Sequence, residues 1–320
     1  MFALTATSFS DDDPLSGLTP GEHPDPTPPD GWEVVEVRAA SLNHHDLWTL
    51  RGVGITEDRL PIVLGCDAAG IAADGREVVL HSVIATGPGD ETIADDFNIL
   101  SEKHDGTFAE KVAVPARNLL PKPPGLSFAE AACLPTAYLT AYRMLFTKGE
   151  LQPGHRVLIQ GAGGGVATAA LLLARAAGLH VTVTSRDEDK LARAIELGAH
   201  EGVTSGERLP QRVDAVLETV GQATWKHSIR SLKSGGVIVV AGATSGPNPP
   251  AELTHVFYRQ LRVVGSTMGT KDELERLIAL CDATGVRPLV DDTFALEDGR
   301  RAFERMAEGE LFGKLVLTRD

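Results

Sequence analysis

The sequence predicts an α/β protein of two domains, a mostly-β half followed by a doubly wound parallel sheet. Three observations carry this. The 320 residues exceed the roughly 250 to 300 at which single cores stop growing. The chain changes character near residue 125, from short β-like runs between Pro, Gly and Asp clusters to a regular alternation of strands and helices. A glycine turn from Gly161 to Gly165 follows a Val/Leu/Ile strand and opens an Ala/Leu-rich helix, the local order that begins a βαβ unit. Residues 1–125 are expected to form the first domain and 126–285 the second, with 286–320 returning to complete the first.

In the first half, the runs from Trp32 to Val37, Val78 to Leu80 and Lys111 to Val114 read as strands. The proline-dense stretch from Pro24 to Pro29 cannot enter a central strand and is expected to be an extended surface connection. After residue 126 come a helix from Phe128 to Phe146, a strand from Arg156 to Gln160 and a long helix from Gly165 to Ala177. Strands follow at Val181 to Thr184, Val213 to Glu218, Gly236 to Gly242 and Leu261 to Ser266. Helical patterns lie at Glu188 to Leu197, Thr224 to Leu232 and Lys271 to Asp282. Short Val/Ile runs alternating with helices of 10 to 15 residues mean right-handed crossovers and a parallel sheet covered on both faces.

Charge and composition exclude several partners. Thirty basic against 44 acidic side chains leave a formal charge of −14, which repels nucleic acid and anionic membranes. No run approaches the roughly 18 apolar residues of a membrane span, and a cytoplasmic protein is expected. Cys66, Cys133 and Cys281 form no Cys-x-x-Cys pair, so neither a disulfide framework nor a four-thiolate zinc lobe is expected.

The glycine loop points to a dinucleotide. Glycine permits φ above zero and a close backbone approach to pyrophosphate, while free N–H groups at a helix start favour negative charge. Gly161, Ala162, Gly164, Gly165 and Val166 are therefore candidate cofactor residues. At the end of the next strand an acidic residue would accept hydrogen bonds from the ribose hydroxyls of NADH. The chain has Ser185-Arg186 there, with Lys190 one helical turn on. A guanidinium matches a 2′-phosphate, so NADPH is expected over NADH. Asp187 and Asp189 would oppose this only if turned toward the ribose; as first-turn residues they suit the helix start.

The chemistry opposite the cofactor is read from what is absent and from a resemblance. The short-chain reductase arrangement needs lysine four residues after a tyrosine, and Tyr138, Tyr142 and Tyr258 are followed at that spacing by Tyr142, Phe146 and Arg262. The segment Asn43-His44-His45-Asp46-Leu47-Trp48-Thr49-Leu50-Arg51-Gly52 resembles the signature of the zinc-free quinone oxidoreductase branch of the medium-chain dehydrogenase/reductase superfamily. Leu64 to Gly70, Gly106 to Glu110, Leu134 to Leu145, Gly161 to Val166, Glu218 to Gly221 and Phe312-Gly313-Lys314 follow in that family's order, so the resemblance covers nearly the whole chain. It implies a GroES-like catalytic domain before a Rossmann cofactor domain, with Thr140, Gly242, Ala243 and Thr244 near the cofactor and Lys314 reaching it from the tail. It also implies a homodimer formed through an edge strand and loop at Val263 to Gly269.

Zinc-dependent alcohol dehydrogenases share this fold, and catalytic zinc takes three ligands from Cys, His and carboxylate plus an open site. Where that branch carries its ligands this chain resembles it only in part: Asn43 stands for the first cysteine, Cys66-Asp67 for His-Glu, and Thr136, with Cys133 nearby, for the last cysteine. No zinc is expected. The implied reaction is NADPH-dependent hydride addition to a small quinone or α,β-unsaturated carbonyl, whose own electron sink replaces the metal. Asn43 would line the nicotinamide pocket, and Asp46 and Arg51 would form a buried structural pair. His45, then His44 and Tyr138, are the candidate proton donors, with solvent as an equal source. Two other readings stay open: a zinc-dependent alcohol or aldehyde dehydrogenase with an atypical set drawn from His44, His45, Cys66 and Asp67, and a non-catalytic NADPH-binding sensor.

Overall fold

Apolar residues on alternate positions make Trp32–Ser41 the organising strand of the N-terminal half: Val35 and Val37 are buried while Glu36 between them is exposed. The protein is described by a computed structural model over residues 1–319. It divides into two units, Met1–Leu139 with Gly269 onward, and Thr140–Met268. The boundaries expected at 125 and 285 thus both shift, to 139/140 and 268/269. The cause is packing: the turns Leu134–Tyr138 lie on the strand Asp67–Ala72 and on the helix Lys271–Thr284, so both segments belong with the first unit.

In that unit Trp32–Ser41 pairs antiparallel with Asp67–Ala72, with Lys111–Pro115 and with the tail strand Lys314–Thr318. The main sheet runs Leu119–Pro121, Glu77–Leu80, Asp67–Ala72, Trp32–Ser41, Lys314–Thr318, Val290–Ala295. The helix Gly299–Glu308 buries Phe303 edge-on against Phe108, with ring centroids 5.9 Å apart. Residues 24–29 carry no regular structure and are mostly exposed. Arg51, expected to form a buried pair with Asp46, does not: its side chain is exposed and lies 4.0 Å from Asp11, because Asp46 is engaged in capping its own helix.

The second unit is a six-stranded parallel sheet in the order Glu201–Thr204, His180–Ser185, Arg156–Ile159, Val213–Glu218, Leu232–Val240, Arg262–Gly265. Numbered along the unit this is 3-2-1-4-5-6, the doubly wound order whose ligands bind beyond the carboxyl ends of the strands. The helix Gly165–Ala176 packs on it through Ala167, Ala170, Leu171, Leu173 and Ala174. Two features differ from expectation. Glu201–Thr204 is a strand that alternates no apolar face and contains Gly202, so hydrophobic periodicity passes over it. The segment expected as one helix from Phe128 to Phe146 is broken into α turns at Phe128–Ala131 and Leu139–Tyr142 and π turns at Leu134–Tyr138 and Arg143–Lys148.

Candidate active site

In the first unit, the loop after the organising strand and the two strands beside it bring Asn43, Cys66, Asp67 and Thr136 together. Asn43 caps the helix His44–Leu50: its N–H donates to Asp46 Oδ2 at 2.7 Å, closing a capping box. That fixes its amide, whose Nδ2 donates to Asp67 Oδ2 at 2.8 Å and approaches Cys66 Sγ at 3.6 Å. Asp67 is fully buried and also accepts from Ser41 Oγ at 2.9 Å, Ser82 Oγ at 3.3 Å and Thr136 Oγ1 at 2.6 Å. Thr136 is half-buried and sits on the π turn Leu134–Tyr138, a wide turn of the kind found at functional positions. It also lies 3.5 Å from Cys66 Sγ. Thr136 rather than the neighbouring Cys133 thus meets Asp67, since the Cys133 thiol donates to Ala129 O at 3.2 Å.

Lys314, which the resemblance implied would reach a cofactor from the tail, is buried in the first unit. It is 3% exposed, and its ammonium donates to the Leu42 carbonyl and, at 2.6 Å, to Asn43 Oδ1, with Asp67 Oδ2 at 4.0 Å. Tyr138, a candidate proton donor, is likewise corrected: the side chain is fully buried, its hydroxyl accepts the Leu289 N–H at 2.7 Å, and burial drives its pKa far up. His45 Nε2 lies 3.1 Å from Glu102 Oε1. Burial opposes its charged form, but that hydrogen bond and the carboxylates of Asp46, Glu102 and Asp67 raise its pKa above 6.5. His44 is the exposed imidazole of the pair. Crowding by the protein, then the positive charges of Lys314 and Arg51, hold it below 6.5.

Burial, only partly offset by His45 and the Asn43 N–H, pushes the Asp46 carboxyl from 3.8 up to about 7. A folded-state pKa above the unfolded one means that the native form binds the extra proton, so stability is fullest below pH about 4 and falls as pH rises through about 7. His45, also raised, acts in the same sense above 6.5. Asp46→Asn, which keeps an acceptor for the cap, is expected to flatten the decline in Tm between pH 5 and 8 and to melt higher than the native protein at pH 8. Melts with the same slope in both proteins would show Asp46 to be charged throughout.

Donor types competent for zinc gather beside this network. A ring nitrogen of His45, an oxygen of Asp46 and Cys66 Sγ lie within 4.8 Å of one another, and His45 Nδ1 and Asp46 Oδ1 are buried without a hydrogen-bond partner. The groups around this trio are not zinc ligands. Asp46 and Cys66 are wholly buried and His45 partly so. Burial, then the nearby Asp67 and Asp46, holds the Cys66 thiol well above 9.0. Asn43 and Thr136 contribute an amide and a hydroxyl that already donate to Asp67, and the Lys314 ammonium already places a positive charge there.

In the second unit, the strand Arg156–Ile159 feeds Gly161 at φ +88, and a Cβ on Gly161 or Gly164 would meet no atom within 4 Å, so the space above the loop is open. The helix Gly165–Ala176 has no side-chain cap and no acidic residue in its first turn, leaving its N–H groups free for a pyrophosphate. Ala162 is buried and Val166 half-buried at this turn. Arg186, just past His180–Ser185, is exposed and makes no ion pair among the described residues. Lys190 is half-buried on the helix that follows. Asp187 is turned away into that helix, its Oδ1 accepting from Asp189 N at 2.9 Å and Lys190 N at 3.2 Å. Ser185 Oγ accepts the Asp187 N–H at 3.0 Å. Thr140 is 6% exposed on Leu139–Tyr142, and Gly242, Ala243 and Thr244 follow the carboxyl end of Leu232–Val240 beside Thr219.

Sequence reasoning missed the groups that hold these loops. Glu218, fully buried, accepts from Val220 N, Gly221 N, Thr224 Oγ1 and Ser228 Oγ. Gln160 accepts from Thr184 Oγ1 at 2.7 Å, and Thr184 Oγ1 in turn accepts the Gly161 N–H at 3.2 Å. A carboxylate or amide ending an otherwise apolar strand was the available signal.

Residues 29–124 match the alcohol dehydrogenase GroES-like domain family and residues 165–283 the zinc-binding dehydrogenase family. A zinc-type alcohol dehydrogenase-like protein of Schizosaccharomyces pombe is 33% identical, with 96% of this chain and 98% of that protein covered. An acryloyl-coenzyme A reductase of Metallosphaera sedula is 28% identical, covering 92% of this chain and 94% of its own. A crystal structure of an NAD-dependent alcohol dehydrogenase superposes with a TM-score of 0.92 at 34% identity, covering 100% of both chains.

Proposed function

Because the chain belongs to the zinc-type alcohol dehydrogenase-like medium-chain dehydrogenase/reductase superfamily, a family of oxidoreductases, we propose that it is an NADPH-dependent reductase of α,β-unsaturated carbonyls or quinones that works without a metal. The observation that carries this is the replacement of a zinc-competent donor set by Asn43, Thr136 and the buried Lys314–Asp67 pair. An acryloyl-coenzyme A reductase among its relatives favours the conjugated carbonyl over the quinone. When bound, the nicotinamide supplies a hydride. For an enone, the β carbon would gain the hydride, the C=C π pair would move toward the carbonyl, and the resulting enolate would take a proton from solvent at its α carbon. Asn43 is too firmly held to swing and serves as a fixed polar wall. His44, exposed and without a hydrogen-bond partner among the described residues, is the donor to the enolate oxygen; His45 is tied to Glu102.

The purified protein is expected to oxidise NADPH with a panel of enones, enoyl thioesters and quinones, to keep that activity after chelation, and to lose about tenfold or more with His44→Gln. About one zinc per chain, lost together with activity on chelation, would overturn the metal-free reading. Tight NADPH binding with no turnover across the panel would make the protein a sensor.

No helix among the described residues is long and apolar enough to cross a membrane, and the proposed setting is the cytoplasm. The proposed homodimer would use the sheet edge Arg262–Gly265 and the adjoining Leu253, Phe257 and Tyr258, the last 80% exposed. Sedimentation as a monomer at micromolar concentration would remove it.

A further inference from the structure

A cavity of about 670 Å³ in the second unit is lined by Arg208, Arg212, Lys226, Arg230 and Arg259 and by no carboxylate. Its charge runs against that of the chain, whose net is −14. Arg208 and Arg212 come from the connection between the strands Glu201–Thr204 and Val213–Glu218. Lys226 and Arg230 stand one turn apart on the helix Trp225–Ser231, and Arg259 caps the helix Leu253–Tyr258. None of Arg208, Arg212, Lys226 or Arg230 has an ion-pair partner among the described residues. Burial, then the repulsion of Arg212, depresses the Arg259 pKa, so the like charges crowd one another without a counterion. Such a concave, single-signed site concentrates small anions, while the net charge of the whole molecule repels extended polyanions.

The volume lies in the range of roughly 300–1,000 Å³ that suits small-molecule ligands. Leu209, Pro210 and Ala223 give the cavity an apolar part, which a bare inorganic anion would leave uncovered. One wall also communicates with the cofactor loop. His227, in the cavity lining, lies 2.9 Å through Nδ1 from Gln160 Nε2. Gln160 Oε1 accepts from Thr184 Oγ1 at 2.7 Å, and Thr184 Oγ1 accepts from Gly161 N at 3.2 Å.

We propose that this cavity is a second ligand site, which binds the phosphates and the planar body of a nucleotide-type polyphosphate and transmits occupancy to the glycine loop through His227, Gln160 and Thr184. The same chemistry is offered by a free nucleoside diphosphate and by the nucleotide portion of a coenzyme A thioester.

The test titrates ADP into protein saturated with NADP⁺, which keeps the glycine loop occupied. Calorimetry is expected to show one saturable site, weakened at least tenfold in Arg208→Glu/Arg230→Glu and in a second pair, Arg212→Glu/Lys226→Glu. All four are exposed side chains, and the KM for NADPH without ADP is expected to stay unchanged. ADP should shift that KM twofold or more in the native protein and not in the variants. A rise in KM for crotonyl-coenzyme A, with crotonyl-pantetheine unaffected, assigns the site to the thioester; equal KM values with ADP binding intact assign it to a free nucleotide. No heat with the NADP⁺-saturated protein, or the same ADP affinity in both double variants, overturns the proposal. Since the titration requires no turnover, its failure is separate from a failure of the reductase reading.

Discussion

Arg186→Asp is expected to raise the KM for NADPH by about ten- to a hundredfold and to lower that for NADH. The guanidinium stands exposed immediately after the strand His180–Ser185 with no carboxylate to satisfy it among the described residues. A charge-assisted pair with a 2′-phosphate contributes roughly 1.5–3 kcal/mol, which is that range of affinity. Asp187, the residue that could have opposed it, spends its carboxylate on the N–H groups of Asp189 and Lys190. The substitution therefore both removes the favourable charge and supplies an acceptor for ribose hydroxyls. Steady-state constants for the two cofactors decide it, and unchanged values for both would remove Arg186 from the ribose. The result also separates the NADPH reading from the NAD dependence of the alcohol dehydrogenase structure that this chain superposes on at 34% identity.

Asp67→Asn is expected to cost about 3–5 kcal/mol of stability, measured by denaturant unfolding, because one partner of a buried charge pair is removed. Four side chains donate to this carboxylate, and a fully buried amide in its place would turn an N–H₂ toward one or two of them. The Lys314 ammonium, 4.0 Å away and 3% exposed, would then lack its counter-charge. If that pairing is the main loss, Asp67→Asn/Lys314→Met will be less destabilised than the sum of the two single variants. Strict additivity would show that the two charges do not depend on each other.

The cofactor half was legible because its signals are local. An apolar strand, a glycine turn and an Ala/Leu helix occupy consecutive positions from Val157 to Ala174, and each agrees with the next. What the sequence concealed depends on residues far apart in the chain. That Lys314 meets Asn43 is not visible until the tail strand lays Val316 against Ser41 and turns the ammonium into the Asn43 pocket. The resemblance implied a pair between Asp46 and Arg51, yet the capping geometry of Asn43 claims the carboxylate first. The split of the segment from Phe128 to Phe146 into α and π turns was also hidden, since the helical period persists through it. Only the wider turn reveals that Thr136, rather than Cys133, meets Asp67.

The place of Lys314–Thr318 between Trp32–Ser41 and Val290–Ala295 sets the order in which the protein can mature on the ribosome. At about 5–20 residues per second, the N-terminal sheet waits tens of seconds for its seventh and last strand, with Ala39, Ala40 and Ser41 presenting an unclaimed edge throughout. The cofactor unit, contiguous from Thr140 to Met268, can meanwhile close on itself. Nascent chains stalled before residue 314 should thus hold a finished nucleotide fold beside a sticky, chaperone-dependent half.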